Sequence, residues 1–144
     1  MRYYAVIDTN VIVSAALPSR SDSTPKRILK AVVEGTIIPI HSKYLLNEYR
    51  GVLLREKFHF DKNDVEILVG FLDSVGIMVE PDMGNYDLPD PKDSPIYAVM
   101  RSTPEYDPYL VTGNTKHFPK ADRIVTPKEM VGILDADGGH DQAR

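Results

Sequence analysis

The sequence predicts an α/β fold with a mostly parallel central sheet of about five strands and helices on both faces. Two observations predict it. Short β-prone apolar runs alternate with amphipathic helical stretches along the whole chain, the order that gives parallel strands joined by crossover helices. The strand candidates are also near-continuous apolar runs, as strands buried on both faces must be. The length of 144 residues suits one domain with one core. The domain is expected over residues 1–134, with a mobile tail over 135–144.

The elements follow in order. Tyr3 to Ile7 is a buried strand ending at Asp8-Thr9-Asn10. Val11 to Leu17 is a short helix stopped by Pro18, and residues 19–23 form a loop. Thr24 caps the next helix with Pro25 at its first position. Ile28, Leu29, Val32 and Val33 give that helix its apolar face, and Gly35 closes it. Thr36 to Ile40 is a second strand despite Pro39. Ser42 caps a helix to about Arg55 whose stripe is Leu45, Tyr49, Val52 and Leu53. Asp61 caps another, with Val65, Leu68, Val69 and Leu72. Gly76 to Val79 is a third strand. Residues 80–92 are a Pro- and Asp-rich loop of the length that is often functional. Asp93-Ser94-Pro95 starts a helix to about Arg101. Tyr109 to Val111 and Arg123 to Val125 are the last strands, and Thr126-Pro127 caps a final helix to about Leu134.

Composition narrows the chemistry. There is no cysteine, which excludes disulfides, thiolate zinc sites, iron–sulfur clusters and a cysteine nucleophile. No apolar run approaches a membrane span, and no secretory leader is expected from the first eight residues. A cytoplasmic location fits. The net charge is −4, which argues against a DNA-coating protein. The excess is local: Glu80, Asp82, Asp87, Asp90 and Asp93 face only Lys92 within residues 80–94. The remaining charges balance, with basic stretches at 20–57 and 116–128. His41, His59, His117 and His140 show no paired ligand spacing, so a zinc enzyme is not expected.

In a parallel sheet, ligands bind at the carboxyl ends of the strands, so the polar residues just past each strand matter most. Asp8 is one, although a helix cap explains it equally, with Asn10 as a rival cap. Glu48 lies about 60° from Leu45 and about 40° from Val52 around its helix, at the border of the buried face. A salt bridge to Lys43 or Arg50 is its plain alternative. Asp90 and Asp93 bracket a helix start, and Thr112-Gly113-Asn114 follows a strand. Gly113 has a plain reading as a positive-φ turn residue.

Val6-Ile7-Asp8-Thr9-Asn10-Val11, Leu46-Asn47-Glu48-Tyr49, Asp90-Pro91-Lys92-Asp93 and Leu110-Val111-Thr112-Gly113-Asn114-Thr115-Lys116-His117-Phe118 together resemble a PIN domain. Within it they resemble the branch of toxin components from toxin–antitoxin pairs. The resemblance runs from Met1 to about Leu134 and implies a three-layer Rossmann-like fold. It also implies a metal-dependent ribonuclease, whose catalytic and metal-binding acids fall on Asp8, Glu48 and Asp93. Asn114 stands where the family often has a fourth acid, and Ser94 where it often has another acid or amide. Mg²⁺ or Mn²⁺ is the implied cofactor, since the donors are all oxygen. Thr112, Asn114 and Asn10 would position phosphate or water, and Lys116, Lys120 and Arg55 would hold RNA. An antitoxin and a second copy of the chain are the implied protein partners. Two rivals stand beside this reading. A phosphoryl-transfer enzyme with Asp8 as nucleophile lacks a second acid at Asn10 or an acidic pair before its acceptor. A catalytically silent RNA- or protein-binding module is favoured by Asn114.

Overall fold

The computed structural model describes residues 2–20, 22–84 and 86–142. Among them, five strands form one all-parallel sheet in the order β3-β2-β1-β4-β5. The strands are β1 (Tyr3–Ile7), β2 (Ile37–His41), β3 (Ile77–Met78), β4 (Tyr109–Val111) and β5 (Ile124–Val125). The helices are α1 (Thr9–Ala16), α2 (Thr24–Val33), α3 (Lys43–Leu53), α4 (Lys62–Val75), α5 (Ser94–Arg101) and α6 (Pro127–Gln142). This is the expected three-layer α/β architecture.

The strand order explains where the helices go. The chain steps outward from β1 to β2 to β3, then returns past β1 to β4. Right-handed crossovers put the connecting helices of the two directions on opposite faces. The return helix α5 accordingly packs across β2, β1 and β4, while α6 packs on α2. The core lies between these layers. Ala5, Val6, Ile40, Val99, Leu110 and Val111 are wholly buried within it. Among the described residues no helix is long and apolar enough to cross a membrane.

Local chemistry sets the element ends. Ser42 accepts a hydrogen bond from the Leu45 amide at 3.1 Å, and Asp61 accepts from the Asn63 amide at 2.7 Å. Thr126 and Glu129 form a reciprocal capping box: the Thr126 amide donates to Glu129 at 2.9 Å, and the Glu129 amide donates to Thr126 Oγ1 at 3.1 Å. Gly35 takes φ 80° after α2, as a C-terminal glycine should. Pro39 precedes the part of β2 that pairs with β3, which begins at Ile40.

Several boundaries differ from the sequence reading. Ser23, not Thr24, occupies the cap position of α2, and its side chain makes no capping bond there. β3 is shorter than expected because Gly76 serves as the C-cap of α4. Gly113 does not adopt positive φ. The final helix runs to Gln142 rather than ending near Leu134. Apolar periodicity ends at Leu134, but the backbone can continue a helix without an apolar face to bury.

Gly76 carries a packing constraint of its own. A Cβ there would meet His41 Cε1 at 2.4 Å, the Pro39 carbonyl at 2.7 Å and the Leu72 carbonyl at 2.8 Å. His41 is buried, and burial pushes its imidazole below the ordinary value despite nearby Asp73. A neutral ring therefore packs on the glycine. Gly76→Ala should destabilise the protein by about 1–3 kcal/mol, as overpacking does. Gly70→Ala, on exposed α4 with nothing within 4 Å, should stabilise it by about 0.5–1 kcal/mol. Urea unfolding of both variants checks the opposite signs.

Candidate active site

The site begins with strand pairing. Ile7 of β1 lies opposite Val111 of β4, and these neighbours flank the point where the chain's direction across the sheet reverses. The Asp8 amide donates to the Val111 carbonyl at 2.9 Å, and the Thr112 amide donates to the Val125 carbonyl at 2.9 Å. Asp8 and Thr112 therefore emerge side by side in the crevice where such folds bind ligands.

Their side chains meet. The hydroxyl of Thr112, wholly buried, donates to Asp8 Oδ2 at 2.7 Å. Thr112 Oγ1 in turn accepts from the Asn114 amide at 3.1 Å. Asp8 occupies the N-cap position of α1, yet its side chain makes no capping bond to the helix. The plain capping explanation thus accounts for its position in the chain but not for the direction of its carboxylate.

Glu48 comes to Asp8 through the next residue. Thr9 Oγ1, also buried, donates to Glu48 Oε2 at 2.6 Å. The salt bridge to Arg50 does not form, because Arg50 instead donates to Glu66 at 2.7 Å and to Asn47 at 2.7 Å. One residue on, the buried Tyr49 hydroxyl donates to the Ile7 carbonyl at the end of β1. Burial raises the Tyr49 phenol well above its ordinary value, with the Asp8 and Glu48 charges adding. Helix α3 is thereby tied to the end of β1 at two successive residues.

Asp93 arrives from the acidic loop. Pro91–Asp93 form a 3-10 turn in which Asp90 accepts from the Lys92 amide at 3.0 Å. Asp93 is the cap residue of α5 but makes no side-chain capping bond. Its carboxyl is only 21% exposed, and His117 Nδ1 lies 3.3 Å from Oδ2. That contact has ion-pair distance without hydrogen-bond alignment, so Oδ2 is buried with no hydrogen-bond partner among the described residues. Burial raises the Asp93 pKa most, then the charge of Asp8. His117 opposes the rise, and Asp90 adds to it.

Aromatic packing holds the acidic loop in place. Tyr86 meets Tyr97 of α5 edge-on at 5.1 Å, and Tyr97 packs on Phe118 at 6.1 Å. Leu88 is buried, and the Asp82 amide donates to Ser102 at 2.9 Å. The loop bearing Asp93 and the turn bearing His117 therefore share one apolar anchor.

The remaining candidates divide. Lys116 and Lys120 are exposed and line one groove of about 540 Å³, which Asp122 and Glu129 also line. Asn114 is half-buried beside Thr112. Asn10 is exposed on the first turn of α1. Arg55 is not brought to the cluster: it stands beyond the end of α3, roughly 10 Å along the axis from Glu48. Sequence reasoning missed Thr9 and Tyr49. Thr9 read only as part of the polar end of the first strand, and Tyr49 as part of a core stripe.

Among the described residues, no three His, Asp or Glu side chains close into a complete ligand set. What the site offers is narrower: carboxylate oxygens, mutual repulsion between Asp8 and Asp93, and a buried Asp93 oxygen that only the His117 ring approaches among the described residues. These features suit a hard divalent cation, since Mg²⁺ usually takes one or two carboxylates and keeps several waters.

A family model described as PIN domain matches residues 4–116. That span holds Asp8, Glu48, Asp93 and Asn114. No curated protein matches the chain.

The raised Asp93 pKa has a stability consequence with a definite sign. Between its unfolded and folded pKa values the native state binds more protons, so stability falls as pH rises through that window. Above it, the charged carboxylate opposes folding. Asp93→Asn should therefore melt at a higher temperature than wild type at neutral pH without divalent cations. The difference should shrink on acidification, as thermal melts across pH would show.

Proposed function

Because the chain belongs to the PIN-domain family, whose members are generally nucleases, we propose that it is a metal-dependent endoribonuclease acting on single-stranded RNA. The observation that carries the reading is the buried Asp93 oxygen, which His117 approaches at 3.3 Å and which feels the Asp8 charge at the reversal point of the sheet. A divalent cation between two carboxylates that repel each other would offset their repulsion.

Asp8 and Asp93 would hold a Mg²⁺ or Mn²⁺ ion, with Glu48 as a third ligand or as the base that orients water. When bound, the cation supplies an acidified water and offsets the charge of the scissile phosphate. Thr112 fixes which Asp8 oxygen is free, because its hydroxyl already occupies Oδ2. Thr9 does the same for Glu48. Asn114 offers an oxygen without a charge, which favours one tightly held cation over two. Asn10 stands at the mouth, where it would meet phosphate or water. His117 offsets the charge of Asp93 and would face the phosphate. Lys116 and Lys120 would hold the RNA backbone, giving salt-dependent binding.

By the same resemblance it would act in the cytoplasm as the toxin of a toxin–antitoxin pair, with an antitoxin and a second copy of the chain as partners. A second reading, a silent RNA- or protein-binding module, draws on the missing charge at Asn114.

Cleavage assays test the proposal. Single-stranded RNA should be cut with Mg²⁺ or Mn²⁺ and spared with EDTA, and Asp8→Asn or Asp93→Asn should abolish cutting. Equal cutting by wild type and both variants would overturn it. RNA binding without cutting under any metal would favour the silent module. Thr112→Val, which removes only the hydroxyl that orients Asp8, should lower activity about 10–100-fold, as loss of an outer-shell partner does. Mn²⁺ should raise the melting temperature of wild type but not of Asp93→Asn.

A further inference from the structure

An apolar groove adjoins the carboxylate cluster. The first turn of α3, the end of β3, the acidic loop and the first turn of α5 enclose about 450 Å³, within the range of ligand pockets. Tyr44, Met78, Met83 and Pro95 supply its apolar lining. Tyr44 is 57% exposed, Met83 56% and Met78 43%. Large apolar side chains exposed together mark a binding surface rather than ordinary scatter.

Two walls belong to the elements that carry Glu48 and Asp93. Pro95 stands two residues after Asp93, and Tyr44 sits one helical turn before Glu48 on α3. The charged lining residues are Lys43 and Glu80, and Glu80 has no partner among the described residues. The other aromatic rings close to the cluster in sequence, Tyr49, Tyr97 and Phe118, are buried. Tyr44 is therefore the ring left free to stack.

We infer that this groove receives one unpaired nucleobase of the RNA strand whose scissile phosphate lies at the carboxylate cluster. The inference rests on the ribonuclease reading and names its substrate subsite. The chemistry of the lining selects the occupant. A base presents a flat apolar face to Tyr44 and the methionines. Its attached phosphate matches Lys43, and its polar edge matches Glu80. An ionised carboxylate only accepts hydrogen bonds. Guanine offers adjacent N1–H and N2–H donors to it, adenine and cytosine offer an amino group, and uracil offers one N–H between two carbonyl oxygens. Guanine should therefore be preferred and uracil disfavoured at this position.

The test uses Asp93→Asn protein, so that binding is read without cleavage. Short single-stranded RNAs carry one scanned guest position: G, A, C, U or an abasic ribose. Fluorescence anisotropy gives affinity with and without added Tyr44→Ala or Glu80→Gln. Tyr44→Ala should weaken binding about tenfold and erase the difference between a base and an abasic site. Glu80→Gln should remove the preference for guanine over uracil while keeping the sensitivity to an abasic site. Unchanged affinity in a Tyr44→Ala protein that melts like its parent would overturn the inference.

Parallel cleavage assays in the Asp93 background of wild type separate the two claims. Cleavage with normal KM in Tyr44→Ala sinks the groove and spares the nuclease. RNA bound through Tyr44 but never cut sinks the nuclease and spares the groove, and no RNA binding at all sinks both. If Tyr44→Ala instead shifts a monomer–dimer equilibrium in sedimentation and leaves RNA affinity alone, the groove is a self-association face and the inference fails.

Discussion

The pairing of Ile7 with Val111 is the constraint on which the site depends. It places the ends of β1 and β4 side by side where the sheet reverses direction. Asp8 and Thr112 are the first residues past those ends, so their hydrogen bond follows from strand register. A one-residue slip in a parallel strand would turn every side chain to the other face. Both strand ends are buried, which makes such a slip costly and keeps the carboxylate aimed at the crevice.

Three separate devices bring the other acids to that point. The Tyr49 hydroxyl and the Thr9 hydroxyl join α3 to the end of β1. Tyr86, Tyr97 and Phe118 anchor the loop and turn that carry Asp93 and His117. The side chains that do this are uncharged, and the charge of Asp93 that they help to bury opposes folding. The raised Asp93 pKa expresses that opposition. A site that is strained without its ligand is already shaped for the ligand that relieves it.

Much of the fold was legible because it depends on local patterns. The apolar run Tyr3 to Ile7, the Ser42 and Asp61 caps, and the glycine at position 35 each act within a few residues of themselves. Asp8 and Asp93 were legible as candidates because each follows a strand or precedes a helix. Glu48 was legible from its angle at the border of an apolar face. The bonds that hold the site were not. Thr9 meets Glu48 across 39 positions, and Tyr49 meets Ile7 across 42; no periodicity encodes contacts of that span. The end of α6 was misplaced because the reading followed side-chain pattern while the helix continued on backbone hydrogen bonds.

The central claim is that Asp8 and Asp93 form an oxygen-lined position completed by a divalent cation. Anomalous diffraction from crystals soaked in Mn²⁺ tests it most directly. The account predicts one strong manganese peak within coordinating distance of both carboxylates, absent in Asp93→Asn crystals. Well-ordered carboxylates with no peak between them at saturating Mn²⁺, or a peak bound elsewhere and unaffected by Asp93→Asn, would contradict it.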